Sequence, residues 1–185
     1  SGMEKTRGQL LGEIQQGEWT LFYESGRPLA KGTYENDRQV GGWTFYHENG
    51  NVMRAGTYSA DGLRSGEWIY NYEDLTPQSR GAYVADFEDG PWTFWFENGA
   101  VSMRGSYDAG QQSGLWRYYY ADGSPKAEGL YHEGARIGAW QVWSEDGKSR
   151  VQDFGRKVGV TLVRELWPDT EQVRRTGVLV SGKPV

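Results

Sequence analysis

The chain is 185 residues long and carries a net charge of −5, with 20 lysines and arginines against 25 acidic residues. This balance argues against generic binding to nucleic acid or anionic membranes, because both present negative charge. Aromatic residues make up 15% of the chain and cysteine is absent, which argues against disorder and excludes disulfides and cysteine-based metal sites. The 27 glycines interspersed among these rings favour many short strands joined by tight turns.

The N-terminal segment begins with Ser1-Gly2 ahead of Met3, a pattern typical of a cloning remnant. The chain shows neither a signal-peptide pattern nor an apolar run near the ~20 residues that span a bilayer. We therefore expect a cytoplasmic protein if Met3 is the native start. If a leader was removed, a periplasmic location stays open.

A Gly-x-Trp motif recurs six times, at Trp-to-Trp intervals of 24, 25, 24, 24 and 24 residues. In five units a glycine preceded by Ser, Asn or Asp stands seven residues after the tryptophan, and a Gly-x-Tyr motif follows in five units. Landmarks in fixed order at one period indicate a tandem repeat, which has to be recognised before a fold is assigned. The repeated tryptophans are Trp19, Trp43, Trp68, Trp92, Trp116 and Trp140.

Each unit has the pattern of one β-hairpin. The tryptophan opens a stretch of aromatic and β-branched residues, as in Trp43–His47, which is the composition of a strand. Asn49-Gly50 then supplies the positive backbone angles of a tight turn, and a returning strand ends at Gly-x-Tyr. Isolated hairpins are marginal in water, so we predict an all-β fold in which tandem antiparallel hairpins form one long, twisted, single-layer sheet or solenoid of about 13–14 strands. Its units are 8–34, 35–58, 59–83, 84–107, 108–131 and 132–154, with a degenerate C-terminal cap at 155–185.

Three regions depart from the pattern. Gly8-Gln9-Leu10 precedes the first tryptophan as a half-unit. After Trp68 the turn glycine is replaced by Leu75, so we expect this hairpin to turn differently, with Pro77 removing a ladder hydrogen bond. In the tail Pro168-Asp169 lies near the expected turn, and six basic residues stand against three acidic ones, which indicates an ordinary solvated surface or a basic patch. The basic residues are Arg156, Lys157, Arg164, Arg174, Arg175 and Lys183.

Strand alternation assigns the rings to two faces. The tryptophans share one face with the second and fourth residues after them, such as Phe45 and His47, and we predict that this face is the core. The third residue after each tryptophan points to the opposite face and is a ring in five units. This row is either a second structural layer or an exposed strip that binds a partner, since aromatic residues are favoured at interfaces. Its rings are Phe22, Tyr46, Trp95, Tyr119 and Trp143.

Acidic residues recur at the turn end of the first strand of each hairpin. Recurrence at one place indicates a structural edge, but such a row would also attract a basic partner. His47 and His132 stand where other units have Tyr, Phe or Asp, which favours a scaffold role over catalysis. No nucleophile-elbow or phosphate-loop motif is present, so we predict no catalytic residue, no metal site and no cofactor. The acidic row comprises Glu24, Glu48, Glu73, Glu97 and Glu145.

The hairpin segments resemble the MORN-repeat superfamily in its bacterial variant form. The resemblance lies in Gly-Glu-Trp-Thr-Leu-Phe-Tyr-Glu-Ser-Gly (17–26), Gly-Gly-Trp-Thr-Phe-Tyr-His-Glu-Asn-Gly (41–50), Pro-Trp-Thr-Phe-Trp-Phe-Glu-Asn-Gly (91–99) and the Gly-x-Tyr that follows. It covers residues 8–154 well and the tail poorly. It implies a groove-like hairpin array that contacts proteins or sometimes lipids, and, among bacterial members, an immunity or antitoxin-like role. A repeat signature marks a fold more specifically than a function.

Three hypotheses for function follow. The first is a non-enzymatic protein-binding module, in its specific form an immunity or antitoxin-like protein that neutralises a bacterial effector, with Glu48 and Glu97 beside the rings as further contacts. The second is a structural repeat that self-associates through open sheet edges or lies at a membrane surface, although the acidic charge disfavours the membrane. The third is a glycan-binding or glycan-cleaving protein, for which Trp95 and Glu97 are the pair to inspect.

Overall fold

The computed structural model describes residues 5–154 and, beyond them, only the strand backbone of 160–166, 173–180 and 183–184. Thirteen antiparallel strands form one open sheet in which each strand pairs with its neighbours in sequence, so the prediction of an all-β hairpin array is confirmed. At about 4.8 Å per strand the sheet is roughly 60 Å long. The strands are β1 (Thr6–Leu11), β2 (Ile14–Phe22), β3 (Pro28–Glu35), β4 (Arg38–Tyr46), β5 (Val52–Tyr58), β6 (Arg64–Asn71), β7 (Pro77–Val84), β8 (Phe87–Trp95), β9 (Val101–Asp108), β10 (Gln111–Tyr119), β11 (Pro125–His132), β12 (Ala135–Trp143) and β13 (Ser149–Asp153).

All six hairpins turn through the same short loop. In the first, the Tyr23 N–H donates to the Arg27 carbonyl at 2.9 Å and the Gly26 N–H donates to the Tyr23 carbonyl at 2.9 Å. Gly26 has a φ of 81°, a left-handed conformation that glycine adopts without steric cost. The same pair of backbone hydrogen bonds closes the other five loops.

The prediction that the third hairpin turns differently is wrong. The Tyr72 N–H donates to Thr76 at 2.9 Å and the Leu75 N–H donates to Tyr72 at 3.1 Å, as at the glycine-containing turns. Leu75 takes the left-handed conformation at a φ of 73°, and Pro77 pairs with Asn71 at the first position of β7, as Pro28 pairs with Phe22 at the start of β3. The cost of a left-handed leucine, about 1–2 kcal/mol, is smaller than that of losing the register with both neighbouring hairpins.

Successive hairpins are joined by equally tight links. Asn36-Asp37, for example, connects β3 to β4 with positive φ at both residues, 51° and 63°. The link from β5 to β6 is longer, and the Ser59 N–H closes it by donating to the Leu63 carbonyl at 2.8 Å. This longer link accounts for the single 25-residue interval in the sequence.

The core consists of the six repeated tryptophans, each lying against a glycine of the preceding Gly-x-Tyr motif or, for Trp19, against Gly8. A Cβ built on Gly32 would lie 2.2 Å from the Trp43 ring, so no larger residue fits there unless the ring moves. The Trp43 Nε1 donates to the Thr33 carbonyl at 3.1 Å, which holds the indole in place. All six tryptophans are buried. The glycine–tryptophan pairs are Gly8–Trp19, Gly32–Trp43, Gly56–Trp68, Gly81–Trp92, Gly105–Trp116 and Gly129–Trp140.

The tyrosine of each Gly-x-Tyr motif bridges two tryptophans edge-on. Tyr34 lies 5.7 Å from Trp19 and 5.1 Å from Trp43, ring centroid to ring centroid, at interplanar angles of 80° and 85°. Edge-to-face pairs of this kind add about 0.5–1.5 kcal/mol each beyond the burial of their area. Because the contact repeats down the sheet, one chain of alternating indoles and phenols holds the hairpins together.

The series of glycine–tryptophan contacts ends at β13. Gln152 lies opposite Trp140, where Gly129 lies opposite Trp116 one unit earlier, and Phe154 packs edge-on against Trp140 at 5.9 Å. Beyond it β14 (Val160–Leu166), β15 (Val173–Val180) and β16 (Lys183–Pro184) form a separate three-stranded sheet. The expected turn at 168–169 and the side chains of the basic tail lie outside the described residues.

Candidate protein-binding surface

The face opposite the tryptophans carries a row of side chains near the loop end of each hairpin, here called the ring row. Each member is the third residue after a core tryptophan, and all six are half-buried. Since one strand lies between successive members, neighbouring members are two strand spacings, about 10 Å, apart. No ring-to-ring contact joins two members within the described part of the chain. The ring row is Phe22, Tyr46, Asn71, Trp95, Tyr119 and Trp143.

The returning strands partly cover the ring row. Tyr46 pairs with Val52 and Trp95 pairs with Val101 across the hairpin. Phe22, Asn71 and Tyr119 each pair with a proline, and Trp143 pairs with Ser149. The residue opposite is apolar for four of the five rings and is Ser149 for Trp143, so the returning strands cover part of each ring.

Two ring-row members also lie beneath arginines. The Arg7 guanidinium is 5.4 Å from the centre of the Phe22 ring, and the Arg104 guanidinium is 5.7 Å from that of Tyr119. At exposed sites cation–π contacts are worth about 0.5–1 kcal/mol. Asn71 fills its place differently, because its Nδ2 donates to the Val52 carbonyl at 3.0 Å.

Hydrogen bonds from the tryptophan face fix the backbone of the ring row. The Tyr23 hydroxyl donates to the Tyr46 carbonyl at 2.6 Å, and His47 Nε2 lies 3.0 Å from the Asn71 carbonyl. Tyr72 and Tyr120 bond the carbonyls of Trp95 and Trp143 in the same way, at 3.0 Å and 2.9 Å. The imidazole of His47 thus makes the structural contact that a tyrosine makes in the other units.

The acidic row lies on the loops at the same end of the hairpins. Glu48 and Glu97 each follow a ring-row member by two residues, and all five glutamates of the row are exposed. None of them forms an ion pair with a described lysine or arginine. These carboxylates form a negatively charged border beside the ring row, which the sequence pattern predicted.

The described residues hold no arrangement typical of an active site. The His132 Nε2 lies 3.8 Å from a carboxylate oxygen of Glu133, an adjacent residue on a turn. Among the same residues no group of three or more His, Asp or Glu side chains is placed to bind a metal ion. They also include no helix long and apolar enough to cross a membrane.

The sequence predicts the positions of the ring row and the acidic row. It does not predict the contacts between glycines and tryptophans in the core. Gly-x-Tyr ends a strand, as predicted, and its glycine also receives the indole of the next unit. The pairing of every Gly-x-Tyr with a tryptophan nine or ten residues later was the signal that could have revealed this contact.

The fold and its surfaces define a class, a β-hairpin repeat protein built on one open sheet. The model of the MORN repeat variant matches the chain at residues 15–36, 39–60, 88–109 and 112–133, and the chain belongs to the MORN-repeat family. No curated protein matches it. MORN repeats are in general binding modules for proteins or membranes and are a non-enzymatic repeat type.

Proposed function

We propose that this chain is a non-enzymatic protein-binding module that contacts its partner through the ring row. The observation that carries the proposal is a line of half-buried rings on the face that does not form the core. The tryptophan face already supplies the buried apolar layer that holds the hairpins together. The ring row is therefore apolar surface beyond what the sheet needs for its own cohesion, and partially exposed rows of rings are favoured binding surfaces.

The acidic row indicates what kind of protein binds. Glu48 and Glu97 border the ring row and are exposed. Neither carboxylate forms an ion pair with a described lysine or arginine, and the Arg27 guanidinium donates instead to the Glu48 backbone carbonyl at 2.7 Å. Complementary charge at the rim of an interface mainly accelerates encounter and selects the partner, while buried rings supply most of the affinity. A protein with a basic surface beside an apolar patch fits this arrangement.

In its specific form, the proposal takes the partner to be a bacterial toxin or effector that the chain masks. The family resemblance supports this form, and the acidic border suits a basic target. Co-expression with a candidate toxin encoded beside this gene should rescue growth. If the ring-row variant described next still rescues growth, the chain neutralises the toxin through a surface other than the ring row.

The ring row is tested by replacing three of its rings with the residue that one unit already carries. Tyr46→Asn, Trp95→Asn and Tyr119→Asn copy Asn71, so the fold has a precedent for each change. Affinity purification from a lysate of the source organism should recover a protein with the wild-type chain and lose it with the triple variant, and isothermal titration with that protein should show the same loss.

A control on the same face is needed to interpret that loss. Lys31→Ala and Arg80→Ala change exposed residues outside the ring row and should leave binding intact. Full binding by the triple variant, with its circular dichroism unchanged, would contradict the proposal.

The same wild-type chain tests the scaffold alternative. Co-sedimentation with liposomes containing anionic lipid would favour a membrane-surface role, and a mass in light scattering that rises with concentration would favour self-association through the sheet edges. The proposal predicts neither result, because the face is acidic at its border and a separate protein occupies it.

A further inference from the structure

A cavity of about 500 Å³ opens on the tryptophan face at the loop end of the third hairpin. Its walls include the imidazole of His47, the thioether of Met53 and the ring of Tyr72. Its rim carries three carboxylates, those of Glu73, Asp74 and Glu97. The volume lies within the range of roughly 300–1,000 Å³ typical of ligand pockets, so it accommodates a long side chain together with its neighbouring backbone.

No positive charge among the described residues pairs with the rim carboxylates. None of the three forms an ion pair with a described lysine or arginine, and hydrogen bonds from Thr76 hold the pKa of Asp74 below its usual value. The Arg54 guanidinium, next to Met53 in sequence, is 4.2 Å from the centre of the Phe45 ring and packs against that ring instead. The cavity therefore combines a flat aromatic and thioether wall with an unmatched negative rim.

The third hairpin, which supplies most of the cavity lining, departs from the repeat in sequence. Residues 61–87 lie between the second and third segments matched by the family model, although their backbone follows the same register as the other units. Leu75 stands there in place of the turn glycine. The loop that borders the cavity therefore differs in sequence from the loops of the other hairpins.

We propose that this cavity receives an arginine side chain of the protein partner. The planar guanidinium stacks on aromatic rings and forms two parallel hydrogen bonds to a carboxylate. The alkyl part of the arginine side chain packs against a thioether. A lysine ammonium matches the charge but not the flat wall. The inference rests on the proposed function, since it names the chemistry of the partner. The apolar walls of the cavity lie on the tryptophan face, although Asn71 of the ring row and Glu73 and Glu97 of the acidic row also line it.

The probe for this inference is a short peptide, acetyl-Gly-Arg-Gly-amide, with citrulline in place of arginine as the uncharged control. The chain has three methionines, and ¹³C-methyl labelling makes Met53 a reporter inside the cavity and Met103 a reference elsewhere on the same face. Titration with the arginine peptide should shift the Met53 methyl resonance at millimolar concentration and leave Met103 unchanged, and added salt should weaken the effect.

Substitutions of the rim carboxylates test whether they bind the arginine peptide that shifts the Met53 resonance. Glu73→Gln, Asp74→Asn and Glu97→Gln together should weaken peptide binding about tenfold or more, because three exposed charge pairs are lost. Glu24→Gln and Glu145→Gln occupy equivalent loop positions in other hairpins and should change nothing. An equal shift with the citrulline peptide, equal affinity for a lysine peptide, or no response of Met53 to arginine would each overturn the inference.

The experiments distinguish failure of the ring-row proposal from failure of the cavity proposal. The ring-row variant should lose the protein partner yet keep the arginine peptide, because its substitutions lie on the opposite face. If the rim variant loses the peptide but binds the partner at full strength, the cavity assignment is wrong while the ring row stands. Loss of partner binding in the rim variant alone, with the ring row dispensable, would overturn the proposed function and leave the cavity.

Discussion

The two faces of this sheet carry similar aromatic side chains that differ in how deeply they are buried. Trp92 and Trp95 stand three residues apart on one strand, yet Trp92 is 3% exposed and Trp95 is half-buried. The difference lies in what each ring meets across the sheet. Trp92 has Gly105 opposite, lies against Gly81 and touches the Tyr83 ring edge-on at 5.2 Å, whereas Trp95 has Val101 opposite. A ring in this sheet is buried where glycines on the neighbouring strands let it lie against the backbone, so the neighbouring residues decide its burial.

The largest expected effect comes from disrupting a glycine–tryptophan contact of the core. Trp116→Ala removes a ring that is 0% exposed and should lower the free energy of unfolding by about 3–5 kcal/mol. Gly105→Ala puts a methyl 2.3 Å from the same ring and should cost about 1–3 kcal/mol through overpacking. Chemical denaturation followed by circular dichroism measures both.

The double variant shows whether these two costs share one contact. With Trp116 already removed, Gly105→Ala should cost almost nothing, because the added methyl then enters vacated space. Equal costs for Gly105→Ala in the presence and absence of Trp116 would mean that the glycine serves another purpose.

The ring row should tolerate changes that the tryptophan face does not. Trp95→Asn removes a half-buried ring, so the loss of unfolding free energy should be about 1–2 kcal/mol, well below that of Trp116→Ala. The same denaturation experiment compares them. A loss as large as that of a core tryptophan would make the ring row a second structural layer.

The comparison of faces assumes six equivalent hairpins, and Leu75 offers a test of that equivalence. Leu75→Gly relieves a left-handed leucine that is 50% exposed, so it should raise stability by about 1 kcal/mol. The reciprocal Gly99→Ala, at a φ of 81°, should lower stability by a similar amount. Destabilisation by Leu75→Gly would show that the leucine makes a contact worth more than its strain.

The smallest effect concerns the polar cover of the tryptophan face. The Arg64 guanidinium, 3.9 Å from the centre of the Tyr83 ring, bonds Asp86, and its backbone N–H and guanidinium lower the pKa of Asp86 in the folded chain. A folded-state pKa below the unfolded one stabilises above the unfolded value near 4, and this contribution disappears as pH falls through the lower folded value. Because both groups are partly exposed, the contribution should be less than about 1 kcal/mol.

Thermal unfolding at neutral and acidic pH detects this contribution. The melting temperature of wild type should exceed that of Asp86→Asn at pH 7. The difference should shrink as the pH falls below about 4 and vanish once Asp86 is protonated in the folded chain. A difference that persists unchanged at low pH would assign the effect of the substitution to shape rather than to charge.

The hairpin array, its period and its faces were predictable because each rests on local chemistry. Gly-x-Trp, the Asn-Gly turns and strict alternation each specify backbone or direction residue by residue. The turn at Leu75 was not predictable, since local preference opposed the conformation and only the register with neighbouring hairpins selects it. The cavity at Met53 and Tyr72 was also beyond the sequence, because it depends on side chains from three hairpins meeting at one edge.

The central claim, that one face is packed and the other is open, is tested most directly with the tryptophans themselves. The nine tryptophans can be labelled with 5-fluorotryptophan, assigned by single Trp→Phe substitutions, and exposed to a soluble paramagnetic agent in ¹⁹F NMR. Trp95 and Trp143 should relax strongly while the six core tryptophans remain protected. Protection of Trp95 and Trp143 equal to that of Trp116 would show two buried layers and contradict the account.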